Sequence, residues 1–281
     1  MLIADPVRRF SAKVAHHGSL PLAWCDDQNW GDALSPILVN LLSGKPVVHL
    51  DGLHQDRYMA IGSILGAANE HAEVWGSGFI RENEILHGRP KAIYAVRGPL
   101  TRSGLLKQGV ECPEVYGDPA LLFPRYYNPE VTKQYEVGLI PHYFDKNHPW
   151  LEPYRRDPKV RIIDVEGGIY RFVQEIKSCD LIVSTSLHGI ICADAYGVPA
   201  LWMELSDKVI GKGFKFFDYF QSVKRDVESP VLPNNIMTLG QVVACYHPYQ
   251  VQIDLKPLLL ACPFLSETER RRQLSNKIAV K

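Results

Sequence analysis

CDLIVSTSLHGIICADAYGVPA, from Cys179 to Ala200, reads as a strand, a turn, a helix and the start of a second strand, and it sets the fold class of the chain. Leu181 to Thr185 is a short apolar run of the kind buried on both faces of a parallel sheet. Gly189 to Tyr196 reads as a short Ala-rich helix, and Gly197 as its stop before the next strand, Pro199 to Glu204. In such units ligands collect outside the carboxyl ends of the strands, where the first amides of the helix can hold an anion. His188 falls at that place. The same position also suits a histidine that only caps a helix or fills a corner.

The alternation extends in both directions. Leu20 to Cys25, Val47 to Leu50, Met59 to Leu65, Val74 to Trp75, Ala92 to Val96 and Val115 to Tyr116 are short apolar runs with glycine-marked turns, and Pro36 to Leu42 and Pro99 to Lys107 are helical stretches among them. The polar segment Arg125 to Tyr135 interrupts the pattern as a linker. A second series follows at Val137 to Ile140, Val160 to Val165, Leu181 to Thr185 and Ala200 to Glu204, with a helix over Ile169 to Ser178. Beyond Pro230 only helical patterns recur, at Gly240 to Tyr246 and Ile253 to Leu260. The expected organisation is an α/β domain over 1–128, a second over 129–235, and helices over 236–281 that pack back across both.

Composition narrows the function. The 281 residues carry 31 basic and 31 acidic side chains, so no overall field draws the chain to nucleic acid. Six cysteines stand singly without CxxC spacing, as expected of thiols in a reducing cytoplasm. Met1 to Phe10 lacks the apolar core of a signal peptide, and no apolar run approaches the ~18 residues of a spanning helix. The expected location is therefore cytoplasmic. Arg270, Arg271, Arg272, Lys277 and Lys281 make the tail from Glu267 basic. That tail reads as a solvated helix face, or else as an attraction to anionic lipid head groups that would hold the chain peripherally at the inner face of a membrane.

Polar residues cluster at the expected strand ends. Asn29-Trp-Gly-Asp32 offers Asn29 and Asp32 around a tight turn, although Asp32 or Ser35 could be the N-cap of a helix with Pro36 as its first residue. Gly76-Ser77-Gly78 would let a ligand approach backbone, or is a plain turn. Arg97-Gly-Pro-Leu-Thr pairs a guanidinium, whose planar fork suits carboxylate or phosphate, with the start of a helix. Asp118 in Gly117-Asp-Pro119 reads as holding a loop or orienting a basic partner. His142 and Glu166 end strands on the rim of His188, and Lys212 and Lys215 lie in a glycine-containing segment able to bring positive charge over an anion. No P-loop, HExxH, GxSxG or paired-cysteine zinc spacing is present, so neither a metal nor a resident cofactor is expected.

As an ordered set, Asn29-x-Gly-Asp32, Gly76-Ser-Gly-Phe79, Arg97-Gly-Pro-Leu-Thr, Gly117-Asp-Pro-Ala, Val137-Gly-Leu-Ile-Pro-His-Tyr and Ser186-Leu-His188-Gly followed by Ala-Tyr-Gly-Val-Pro resemble the polysaccharide pyruvyl transferase family, over roughly residues 20 to 220. The compact length resembles the bacterial exopolysaccharide ketal-pyruvate transferases. The resemblance implies two Rossmann-like domains facing across a cleft, as in GT-B glycosyltransferases. It also implies phosphoenolpyruvate as donor and a glycan acceptor, lipid-linked in the expected setting, which gains a cyclic pyruvate ketal as phosphate leaves. By the same resemblance His188 is the catalytic histidine and Arg97 a donor-binding arginine. Asp32 then acts in catalysis or, like Glu166, touches the acceptor. Asn29, Gly76, Ser77, His142, Ser186, Lys212 and Lys215 complete the expected substrate contacts. Some members carry arginine two positions before the histidine; here Ser186 stands there, so Lys212 or Lys215 must supply the charge. A nucleotide-sugar GT-B glycosyltransferase and a non-catalytic carbohydrate-binding protein are the competing expectations.

Overall fold

In the computed structural model, residues 18–26, 29–50, 52, 54–226, 229–233 and 237–275 are described. Two parallel sheets organise them. The first contains β1 (Leu20–Ala23), β2 (Val47–His49), β3 (Arg57–Met59), β4 (Ala72–Trp75) and β5 (Ala92–Ala95) in the order β2-β1-β3-β4-β5. The second contains β6 (Tyr135–Ile140), β7 (Val160–Ile162), β8 (Cys179–Ser184) and β9 (Ala200–Trp202) in the order β7-β6-β8-β9. Every strand pair is parallel. Both orders place the first strand of the series inside and reverse direction beside it, at β1/β3 and at β6/β8, the two switch points where doubly wound sheets open a crevice.

The helices are α1 (Trp30–Ser43), α2 (Pro99–Lys107), α3 (Ile169–Lys177), α4 (Leu187–Ala195), α5 (Phe214–Ser222), α6 (Leu239–Val243), α7 (Lys256–Leu260) and α8 (Glu267–Ser275). In α3 the apolar stripe is explicit: Ile169, Phe172, Val173 and Ile176 are buried at helical spacing while Arg171 and Gln174 face solvent. Residues Leu187 to Asp194 of α4 are all buried, and the small side chains of that helix let it lie close to its neighbours. One continuous buried cluster runs from Leu22, Trp30 and Trp75 on the first sheet's side to Ile140, Ile182, Ile190 and Trp202 on the second's. Past residue 236 the chain touches both sheets. Leu239 and Val242 of α6 join the core of the second, whereas Trp75 Nε1 donates to the Leu258 carbonyl at 2.8 Å and Phe264 packs on Trp75 and Tyr58 of the first.

Four elements differ from the sequence reading. The apolar run from Met59 to Leu65 is not one strand: β3 ends at Met59, and Gly62, at φ 117°, turns the chain into a 3-10 turn over Leu65–Ala67. α1 begins six residues before Pro36, because the Asn29 side chain caps it by accepting the Asp32 N–H at 3.4 Å, so Asp32 and Ser35 are helical residues and Pro36 lies inside the helix. α4 begins at Leu187 rather than Gly189, which moves His188 from the preceding loop into the first helical turn. Val115 to Tyr116 forms only an isolated bridge, from Tyr116 to Val96.

Candidate active site

The two switch points meet where α1 and α4 begin. A Cβ at Gly31 would lie 2.1 Å from His188 Nδ1, so the imidazole rests directly on the backbone of the first turn of α1. Only glycine fits. The α1 end is anchored from the other side: the Trp30 N–H donates to the Val165 carbonyl at 2.8 Å, and its indole donates to the Ile169 carbonyl at 3.1 Å.

His188 is nearly buried, and its Nε2 stands 3.8 Å from Asp118 Oδ2, beyond hydrogen-bond reach. Neither atom has a hydrogen-bond partner in the protein, although both are shielded from solvent. Folded proteins rarely leave buried polar atoms unmatched, and where they do the site tends to be functional. The other Asp118 oxygen accepts the Ala120 N–H at 2.9 Å and caps the 3-10 turn over Pro119–Arg125, which fixes the carboxylate in place. Asp118 therefore does both things its motif suggested: it holds a loop and faces a basic partner.

Asp32 sits in the first turn of α1. The Asn29 amide donates to its Oδ2, and its Oδ1 passes so near the Gly62 backbone that a Cβ there would come within 3.0 Å. Both residues thus lie at the β1/β3 switch point. From the second half Lys215 faces them: its half-buried amine is lowered to about 8 by burial and by Arg97, against the opposing pull of Asp32. It makes no hydrogen bond or ion pair among the described residues. Lys212 is exposed two residues before α5, between Gly211 and Gly213, and all three have positive φ (100°, 46° and 78°). A Cβ at Gly211 would strike the Ile80 carbonyl at 2.0 Å and one at Gly213 would strike the Trp202 ring at 2.7 Å, so the turn is wedged between the two halves.

Arg97 is buried and fully engaged. Its Nε donates to Asp218 Oδ2 at 3.0 Å, Nη1 to Ser63 Oγ at 2.7 Å and Nη2 to the Phe79 carbonyl at 2.6 Å. Thr101 donates to the same carboxylate twice, from its N–H at 2.8 Å and its hydroxyl at 2.7 Å. A Cβ at Gly98 would lie 1.9 Å from the Asp218 carbonyl, and one at Gly78 would lie 2.5 Å from the guanidinium carbon. The Arg-Gly-Pro-Leu-Thr and Gly-Ser-Gly motifs thus build a socket for Asp218 of α5. The anion at the amino end of α2 is a protein carboxylate, and clasping it fixes the helix that carries Lys215 three residues earlier.

The remaining expected residues divide. Gly76, at φ 98°, packs against Pro119, and the buried Ser77 hydroxyl donates to the Ala60 carbonyl at 2.9 Å, so both support the strand ends. His142 lies at the β6/β8 switch point; its N–H donates to Thr185 Oγ1 at 2.6 Å, and its Nδ1 accepts the Phe144 N–H at 3.4 Å. Burial, followed by the Lys215 charge, pushes its imidazole down to about 4, which makes it a neutral donor through Nε2 near neutral pH. Ser186 is the buried N-cap residue of α4, where the Ser184 hydroxyl shapes the turn by accepting the Ser186 N–H at 3.0 Å. Glu166 is exposed and paired with Lys146, which also reaches Asp164 at 2.5 Å. Asp218 and Ser63 were not singled out in the sequence, because nothing local marks residues whose partner Arg97 lies 121 and 34 positions away. Among the described residues no group of three or more His, Cys, Asp or Glu is placed to hold a metal ion, and no helix is long and apolar enough to cross a membrane.

Comparison with known proteins bears on this site. Residues 83–207, which include Arg97, Asp118, His142 and His188, match the family model described as polysaccharide pyruvyl transferase. The succinoglycan biosynthesis protein ExoV of Rhizobium meliloti is 32% identical over 207 residues, 69% of this chain and 61% of that one. An uncharacterized protein of Acanthamoeba polyphaga mimivirus is 28% identical over 211 residues, 71% of this chain and 73% of that one.

Proposed function

Since the chain belongs, over the residues matched, to the polysaccharide pyruvyl transferase family, we propose that it transfers the pyruvyl group of phosphoenolpyruvate to a sugar of a lipid-linked exopolysaccharide or cell-surface glycan, giving a cyclic pyruvate ketal and phosphate. The observation that carries the proposal is His188 at the amino end of α4, its Nε2 unmatched and facing an equally unmatched Asp118 oxygen, with Asp32 and the unpaired Lys215 amine around it. The setting combines a titratable base with cationic and amide donors, which is what the chemistry asks for.

In the proposed reaction the donor lies at the amino end of α4, its phosphate and carboxylate held by helix amides and by Lys215. His188 delivers a proton to the methylene carbon, so C2 gains the character of a cation and one sugar hydroxyl attacks it. The phosphate then leaves C2 as the second hydroxyl attacks the same carbon and closes the ring. Of the two hydroxyl protons, one restores His188 and the other leaves with phosphate. Asp118 acts as a positioning residue that steadies the imidazolium. Asp32, oriented by Asn29, accepts a hydrogen bond from the acceptor. Neutral His142 and Ser186 line the rim, and Lys212 and Glu166 lie farther out. Arg97 is proposed as a positioning residue rather than a direct clamp, because its three nitrogens already have protein partners.

The matched order of the two parallel sheets supports a GT-B-like reading, with Rossmann-like units formed by the described residues within 1–128 and 129–235 meeting at the Gly31 and His188 junction, and the described residues 237–275 packing back on both. We place the protein in the cytoplasm. Peripheral attachment would act through the basic tail, of which Lys277 and Lys281 lie outside the described residues. The direct test follows phosphate release from phosphoenolpyruvate in the presence of an unpyruvylated glycan acceptor. Release that requires acceptor, together with ketal signals on the product and loss of both in His188→Gln, is the expected result. Wild-type turnover in His188→Gln would overturn the assignment.

A further inference from the structure

α5 is tied on both sides by consecutive residues. Asp218 fills the socket of Arg97 and Thr101, and the Tyr219 hydroxyl donates at 2.8 Å to Asp194 Oδ2 in the last turn of α4. The Asp194 carboxylate is fully shielded from solvent, and the proposed reaction makes no use of it. Burial pushes its pKa up, against the Arg225 charge and two tyrosine hydroxyls. The second hydroxyl is that of Tyr249, which donates to Oδ1 at 2.5 Å and accepts the Ala200 N–H at 3.0 Å. Arg225 stands 3.8 Å from Oδ2, with its guanidinium 3.6 Å from the centre of the Tyr249 ring, and donates to the Ala200 carbonyl at 2.6 Å. A carboxylate so placed is costly to bury unless it is matched, and here the matching groups come from three separate segments.

The two helices joined here carry reactive groups at their amino ends. His188 is six residues before Asp194, about 9 Å along α4, and Lys215 is four residues before Tyr219 on the same face of α5, about 6 Å along it. We infer that Asp194 is a positioning residue: by holding Tyr219 it fixes α5 against the end of α4 and so sets the Lys215 amine relative to His188. The inference rests on the proposed reaction, in which those two groups act on one donor. Apolar packing defines the same placement less sharply. Phe216 and Phe220 lie on Trp202 with ring centroids 4.6 and 5.8 Å away, and such non-directional contacts survive small shifts that misalign a hydrogen bond. Tyr249 belongs to neither helix, so its bond to the same carboxylate adds stability without aligning the two groups.

The test compares Tyr219→Phe with Tyr249→Phe in the full-length protein, since each removes one hydroxyl from the same carboxylate and only the first leads to Lys215. Melting curves record the stability lost. Alignment is read from kcat/KM for the donor and, without substrate, from the pH dependence of Lys215 labelling by acetic anhydride, followed by mass spectrometry. Lys215 feels Arg97 and Asp32, and its own charge reaches His142, so its titration reports where the amino end of α5 lies. Tyr219→Phe is expected to lower kcat/KM about tenfold and to move the Lys215 titration from about 8 toward the ordinary lysine range. Tyr249→Phe should lower the melting temperature at least as much, because it also strands the Ala200 N–H, while kcat/KM stays within about twofold and the titration stays in place. Asp194→Ala should combine both effects. Rates that fall in step with melting temperature in the two tyrosine variants, or a Lys215 titration unmoved in Tyr219→Phe, would overturn the role. Absence of phosphate release in the wild type would sink the proposed reaction instead, and the labelling, which needs no turnover, would still decide whether Asp194 places Lys215.

Discussion

The amino ends of α2 and α4 are the same physical device used in two ways. Each follows a parallel strand and presents unpaired amides and the positive end of a helix dipole to whatever anion approaches. At α2 the anion is built in: Asp218 fills the position, held by Arg97 and two donors of Thr101, and nothing there remains unmatched. At α4 no side chain caps the helix, and His188 Nε2 and Asp118 Oδ2 are left without partners. The first arrangement ties the second half of the molecule to the first; the second leaves His188 Nε2 and Asp118 Oδ2 unmatched, as the proposed reaction requires. The contrast also explains why an arginine in a motif that looks made for phosphate is structural, whereas a lysine with no motif of its own faces the site.

Each side of that contrast can be broken separately. His188→Gln is expected to lower turnover by about 10²–10⁴ while the melting temperature holds, since it removes a proton donor at a place the core does not depend on. Asp218→Ala should do the reverse in its primary effect: it leaves Arg97 buried without its counter-charge, a change that costs about 3–5 kcal/mol in comparable sites, read as a drop in the denaturant midpoint. Asp218→Ala with unchanged stability would show that the clasp does not hold the halves together. Gly31→Ala sharpens the catalytic side. A methyl 2.1 Å from the imidazole must displace the ring or the helix, so activity should fall nearly as far as in His188→Gln while stability drops by only about 1–3 kcal/mol.

Lys215→Met gives a smaller effect with a distinct signature. The amine is charged below about pH 8 and neutral above it, so kcat/KM for the donor should fall as pH rises through that value in the wild type. In Lys215→Met the overall donor affinity should be lower by about tenfold and that alkaline limb should be absent. A limb that persists in the variant assigns the titration to another group. The smallest expected change is Ser63→Ala, which removes one part-buried hydrogen bond to Arg97 and should cost about 1 kcal/mol of stability, with KM for the donor unmoved.

Much of this was open to reading along the chain. The alternating runs gave the parallel sheets because strands buried on both faces must be nearly continuous in apolar residues, as Cys179–Ser184 is apart from Asp180. His188, Asp32 and Asn29 stood out because strand ends in such folds are few and polar residues there are conspicuous. The helix starts were less legible. A reading that trusts Pro36 as a first residue misses Asn29 as the cap, since the choice depends on which side chain reaches a backbone N–H. Asp118 was marked only as a loop holder or a partner to a base, and its neighbour could not be named.

Sequence by itself determined the local chemistry: which segments are apolar enough to form buried strands, which glycines can adopt positive φ, and which ionisable groups fall beside those segments. Those properties follow from side-chain periodicity and backbone sterics within a few residues. Only the tertiary structure decided the pairing of those groups. Gly31 meets His188, Gly98 meets Asp218, and Lys215 rather than Arg97 is left to face Asp32, because charge and space are settled between segments far apart in the chain. An arginine's role depends on what else reaches it first, and that is fixed by packing alone.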